Sequence, residues 1–147
     1  MLDVGTYVLL GIFFHVSLRI QDKTSALLAS GLDADGLIIL TDGGGIWEHY
    51  GQPNAREMAR VCPEYLQENH IGDEFPWTME PKIKACVGFV SEYSTPNTEK
   101  WAVIADLNDA GDIRSGSAGT WVRRKSSWFG QAVSWRNHPS LDLCSYF

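Results

Sequence analysis

Asn54–Asn69, NAREMARVCPEYLQEN, is the stretch whose reading decides what kind of fold the sequence encodes. Asn54 precedes Ala55-Arg56-Glu57, and an Asn cap with Glu three positions later approximates a capping box, in which each side chain satisfies an amide of the first helical turn. Met58, Val61, Cys62 and Tyr65 then fall on one helical stripe. Pro63 has no backbone donor, which predicts a kink or a break into two short helices. Read this way, 54–69 is the principal helix and the rest of the chain supplies a sheet.

Working outward, Tyr7–Val16 (YVLLGIFFHV) is apolar on both parities, and Val16, Leu18 and Ile20 alternate with Ser17, Arg19 and Gln21. That is the period of a strand, half-buried in its second part. Thr24–Ser30 reads as a single helical turn closed by Gly31. Leu32–Gly36 reads as a turn and Leu37–Thr41 (LIILT) as a buried strand. Ile83–Tyr93 and Lys100–Leu107 read as two more strands, Asn108–Gly119 as a Gly/Ser/Asp loop, and 119–125 as another strand. Leu141–Phe147 alternates like a strand completing a sheet in its own or a neighbouring chain. The sum is an α+β fold: a single globular domain over 1–147, with a mainly antiparallel sheet of five to six strands and the helix near 54–69 on one face. A chain of 147 residues is long enough for one such core.

Charge is segregated along the chain. Up to Asp112 there are seventeen Asp and Glu against seven Lys and Arg, whereas Ile113–Leu141 has no carboxylate and holds Arg114, Arg123, Arg124, Lys125 and Arg136. Trp121, Trp128, Phe129 and Trp135 are threaded among those cations. Guanidinium forks suit phosphate and indole faces stack bases, so Trp121, Arg123, Arg124, Lys125, Trp128 and Arg136 are the candidate ligand-binding set. The acidic remainder repels a long polyanion, which makes extended duplex DNA a poor partner. A nucleotide, a short single strand, another anionic small molecule or an acidic protein fits better. The bland alternative is a solvated strand face with its tryptophans in the core.

A second constellation lies earlier. Glu48 and His49, near Asp42 and flanked by Trp47 and Tyr50, form the best acid–base pair, because His exchanges a proton near neutral pH and a neighbouring carboxylate complements it. His138 is a remote candidate partner. Asp42-Gly43-Gly44-Gly45 follows a strand and can present amides to a phosphate, but it matches neither nucleotide-binding glycine pattern, and a plain loop is the better reading.

Metal readings fail on spacing. Cys62, His70 and Cys86 match no zinc pattern, and Asp106–Asp112 lacks ligands at key positions of a calcium loop. The expectation is therefore no metal and no cofactor. Three cysteines cannot all pair within one chain, which suggests reduced thiols and a cytoplasmic location. The ten-residue apolar run is too short to span a bilayer, so no membrane association is expected.

Two functions follow from these features. The first is a small soluble intracellular binding or inhibitory protein that uses the 121–136 patch. The second is a metal-independent hydrolase or lyase acting on an anionic substrate, with Glu48 and His49 as its acid and base. A homo-oligomer is compatible with either.

Overall fold

The computed structural model describes residues 7–9, 18–68, 78–93, 98–124 and 141–142. Its organising element is a pair of parallel strands, β2 (Gly36–Thr41) and β5 (Trp101–Asp106), matched residue for residue from Gly36–Trp101 to Thr41–Asp106. Both are nearly continuous apolar runs, and most of their residues are buried. That composition marks strands covered on both faces. The N-terminal β1 (Tyr7–Leu9) joins β2 in parallel.

Parallel neighbours cannot be joined by a tight turn, so a crossover must carry the chain back along the sheet. Helix α1 (Leu18–Gly31) leads into β2, and α3 (Glu80–Tyr93) leads into β5. The two helices pack against one another. Between them the chain forms β3 (Trp47–Glu48), β4 (Arg56–Val61) and α2 (Pro63–Glu68). After β5 come a 3-10 turn at Leu107–Asp109, the short α4 (Ala110–Ile113), β6 (Thr120–Val122) and β7 (Leu141–Asp142). The strand order is β1-β2-β5-β6-β4-β3, with β7 paired to β4. The β5–β6 and β3–β4 pairs are antiparallel, and the others are parallel.

The expected mainly antiparallel sheet with a principal helix at 54–69 is therefore wrong. The fold is a mixed, largely parallel sheet whose helices are crossovers. Residues 56–61 of the supposed helix form a strand, with Met58 and Val61 buried in the sheet. Pro63 opens α2 instead of kinking a longer helix, since its missing donor is harmless in a first turn.

Ile83–Tyr93, expected as a strand, lies in α3. Its apolar residues satisfy both periods, and Ile83, Cys86, Val87 and Val90 recur at helical spacing on the buried side while Lys84 and Glu92 are exposed. Leu18 and Ile20 begin α1 instead of continuing a strand. The strands expected at 37–41, 100–107 and 119–125 appear as β2, β5 and β6. Of the terminal strand, only Leu141–Asp142 lies within the described residues.

The main core lies between this sheet and the paired helices, with Leu37, Ile39, Ile83, Cys86, Phe89, Val90, Ile104 and Val122 at its centre. Leu40, Val103, Ala105, Ile113 and Trp121 pack on the sheet's other face. Inside the helix pair sits a charge pair that composition does not announce. Lys82 Nζ lies 3.1 Å from Asp22 Oδ2, and both side chains are about nine-tenths buried. Burial pushes the Asp22 carboxyl upward, against the pull of Lys82. Burial, with Asp22 adding to it, also raises the Cys86 thiol far above its usual range, which leaves it inert.

Removing one member of this pair strands the other in the core. Lys82→Met should cost about 3 kcal/mol in urea unfolding, and Asp22→Leu with Lys82→Met should recover most of that loss. Asp22→Asn, which mimics the neutral carboxyl that burial favours, should cost less. Because Asp22 binds its proton more tightly folded than unfolded, its own contribution to stability is fully present at acid pH. That contribution is lost as pH rises through the raised folded value. The wild type's margin over Asp22→Asn should therefore shrink as pH climbs out of the ordinary carboxylate range.

Candidate functional site

Chain direction places the openings of the fold on two different edges. The α1–β2 turn and the start of β5 share one edge, where Lys100 Nζ meets Asp33 Oδ1 at 2.6 Å and the Trp101 amide donates to the Asp35 carbonyl at 3.2 Å. The strands β2 and β5 therefore end, and α3 begins, on the opposite edge. Sheets of this kind bind ligands outside the carboxyl ends of their parallel strands. A cavity of about 280 Å³ opens there, lined by Thr41, Asp42, Gly43, Gly45, Trp47, Tyr50, Thr78 and Met79.

The floor of the cavity is the DGGG loop. Gly44 has φ +76°, the left-handed region that glycine enters without strain. A Cβ on Gly45 would stand 2.5 Å from both Glu57 Oε1 and Thr120 Oγ1, so only glycine fits there. A Cβ on Gly43 would meet nothing within 4 Å. This loop turns two of its amides inward. Gly45 N–H donates to Glu57 Oε1 at 2.9 Å, and Ile46 N–H donates to Thr120 Oγ1 at 2.7 Å. Thr120 is fully buried, and its hydroxyl donates in turn to the Met58 carbonyl at 2.6 Å. What the loop offers the cavity is thus the open backbone around Gly43 together with the exposed Asp42. The half-buried Trp47 and the exposed Tyr50 stand on its wall, and α3 begins just after Thr78 and Met79.

The two constellations singled out from the sequence lie at different ends of β4. Glu48, on β3, forms an ion pair with Arg56 at 3.0 Å across the β3–β4 hairpin. His49 follows in a left-handed turn conformation, φ +53°. Arg123 lies by the far end of β4, its amide donating to the Val61 carbonyl at 3.2 Å. Arg56 and Val61 are roughly 16 Å apart along that strand at about 3.3 Å per residue.

The Arg123 guanidinium sits over the rings of Trp101 and Trp121, at 5.9 and 5.2 Å from their centroids. Burial lowers its pKa, opposed by Glu99 and reinforced by Arg60. Arg124 donates to the Ser91 carbonyl at 2.7 Å, close to the negative end of α3. Lys125, Trp128 and Arg136 lie outside the described residues. Among the described residues no group of three or more His, Cys, Asp and Glu stands where it would hold a metal ion. No helix among them is long and apolar enough to cross a membrane.

Of the cavity's lining, sequence singled out Asp42 and the glycines only as a weak phosphate loop, and Trp47 and Tyr50 only as neighbours of His49. Thr78, Met79 and Thr120 carried no signal, and Glu57 carried only that of a helix cap. The contacts of Glu57 and Thr120 with the loop span 12 and 74 positions along the chain.

No known family model matches the chain. It is similar to curated carbamate kinases: 37% identical over 106 residues to that of Haemophilus influenzae, covering 72% of this chain and 32% of that protein. The carbamate kinase of Staphylococcus haemolyticus is 33% identical over 105 residues, covering 71% and 33%. Among solved structures, the carbamate kinase of Giardia lamblia bound to AMP-PNP superposes with TM-score 0.61 at 28% identity, over 70% of this chain and 35% of that one. A protein from Aeropyrum pernix K1 superposes at TM-score 0.60 with 38% identity, over 71% and 32%. The chain thus spans about a third of the length of the curated relatives it matches. Three of these four likenesses are to carbamate kinases. They overturn both functional expectations, the binding or inhibitory protein built on 121–136 and the hydrolase or lyase built on Glu48 and His49.

The loop's own geometry separates its glycines. Gly45→Ala, forced against Glu57 and Thr120, should lower stability by about 2 kcal/mol, as overpacking does. Gly43→Ala should change it by less than about 0.5 kcal/mol. Thermal unfolding of the two variants side by side tests the contrast, and equal losses would contradict it.

Proposed function

We propose that this chain carries the nucleotide-holding part of a carbamate-kinase-like phosphotransferase, with the nucleotide seated in the cavity at the end of β2. The observation that carries this reading is the position of the cavity: it lies outside the carboxyl end of a central parallel strand, bordered by an open glycine and by the residues that lead into a crossover helix. Support comes from the similarity to a carbamate kinase that holds AMP-PNP. The expected anionic small molecule is kept in this reading, but it moves to the cavity, on the other edge of the sheet from Arg123.

Each lining group has a part suited to a nucleotide. Gly43 lets a ligand approach the backbone without meeting a side chain. Phosphate is favoured near the start of α3, where unpaired amides and the helix dipole are positive. Trp47 and Tyr50 offer ring faces to a base. Magnesium is commonly held by one or two carboxylates together with substrate phosphates, and Asp42 is the lining carboxylate that suits it. The ion would neutralise phosphate charge during transfer. Phosphoryl transfer involving carbamate, a cytoplasmic location and a homo-oligomeric state belong to the same proposal.

Titrating the chain with AMP-PNP while following tryptophan fluorescence tests the site. Saturable binding is expected, and Gly43→Val should weaken it at least tenfold while leaving the unfolding midpoint within a degree or two. Absence of saturable binding, or a Gly43→Val variant that binds normally, would remove the basis for the proposal.

A further inference from the structure

We infer that Thr120 and Glu57 are positioning residues for the β2 cavity: together they clamp the DGGG loop from behind, so that Gly43 and Asp42 face the cavity in one fixed arrangement. The inference rests on the nucleotide reading of that cavity and deepens it. Thr120 comes from β6 and Glu57 from β4, so the loop is held by strands that reach this edge from much later in the chain.

The clamp has two grips on consecutive residues. Glu57 Oε1 accepts from Gly45 N–H at 2.9 Å, a bond strengthened when the acceptor is ionised. The Thr120 hydroxyl accepts from Ile46 N–H at 2.7 Å and donates to the Met58 carbonyl at 2.6 Å. One buried hydroxyl therefore joins the loop exit, β4 and β6. A further bond, from Met58 N–H to the Ile46 carbonyl at 2.8 Å, runs beside it. The fit is close: there is no room for a Cβ on Gly45 between the two clamp side chains, whereas Gly43 on the cavity side stays open. The loop's start is held more loosely, since Gly43 N–H reaches Thr41 Oγ1 at 3.4 Å. With its exit fixed and its start compliant, the loop depends on the clamp for the direction in which Gly43 points.

Such a role predicts what polar substitutes should rescue. Thr120→Ser keeps the hydroxyl, and Glu57→Gln keeps a carbonyl oxygen as acceptor. Thr120→Val and Glu57→Leu keep the shape and lose the bonds. Amide hydrogen exchange over Gly43–Ile46 and AMP-PNP titration are measured on all four full-length variants and on wild type. Thr120→Val and Glu57→Leu should each speed exchange at those amides at least tenfold and weaken AMP-PNP at least fivefold, while the Ser and Gln variants stay within about twofold of wild type.

Faster exchange with unchanged AMP-PNP affinity would overturn the positioning role. Unchanged exchange would overturn the clamp itself. Equal losses in the polar and apolar variants would reduce both residues to packing. If Thr120→Val fails to fold, the Glu57 pair decides by the same criteria. If wild type itself does not bind AMP-PNP, the nucleotide reading fails and the positioning role fails with it, while the exchange data report separately on the clamp.

Discussion

Everything in this molecule follows from the decision to pair β2 with β5 in parallel. Two parallel strands pointing the same way leave the chain at the wrong end of the sheet, and a helix-length return is the only compact way back. That return is α3, and the equivalent approach to β2 is α1. Once both helices lie on one face they must bury each other's inner sides as well as the sheet. Ala26, Ala29, Ala85 and Cys86 are small enough to permit this. The Asp22–Lys82 pair sits inside that contact, each charge facing the other.

The buried strands were legible in the sequence because their signal is local. LIILT and WAVIAD are short apolar runs flanked by turn residues, a length that suits a buried strand better than a helix. Direction was not legible. Whether a sheet is parallel depends on what connects its strands, and here the connector IKACVGFVSEY satisfies the two-residue and the 3.6-residue periods alike. Misreading it as a strand removed the crossover, and a mainly antiparallel sheet followed. The 54–69 error had a different source. A cap-like Asn54, a helical stripe and good helix formers outvoted β4, whose strand state is imposed by partners on both sides.

The site was legible only in part, for a related reason. Glycine runs and aromatic residues stand out in a sequence, but what they face does not. The basic-aromatic segment drew attention by charge contrast, and its described portion spends that charge on tertiary contacts. Arg123 lies over two indole rings, and Arg124 meets a carbonyl near the end of α3. Meanwhile the cavity at the opposite edge is lined mostly by small or uncharged groups, which no charge census would find. A site that relies on backbone access leaves little compositional trace.

The separation of the two edges carries a consequence for how such a chain can change over generations. The indole cluster lies by the start of β5 and the DGGG loop follows the end of β2, at opposite ends of the paired strands. Energetic effects of sites at such a separation combine more nearly additively than those of neighbours. Stability lost while the loop is reshaped for a new ligand can therefore be restored by substitutions around the indoles, without disturbing the new fit. The sheet acts as an insulator between an edge free to innovate and an edge that supplies reserve.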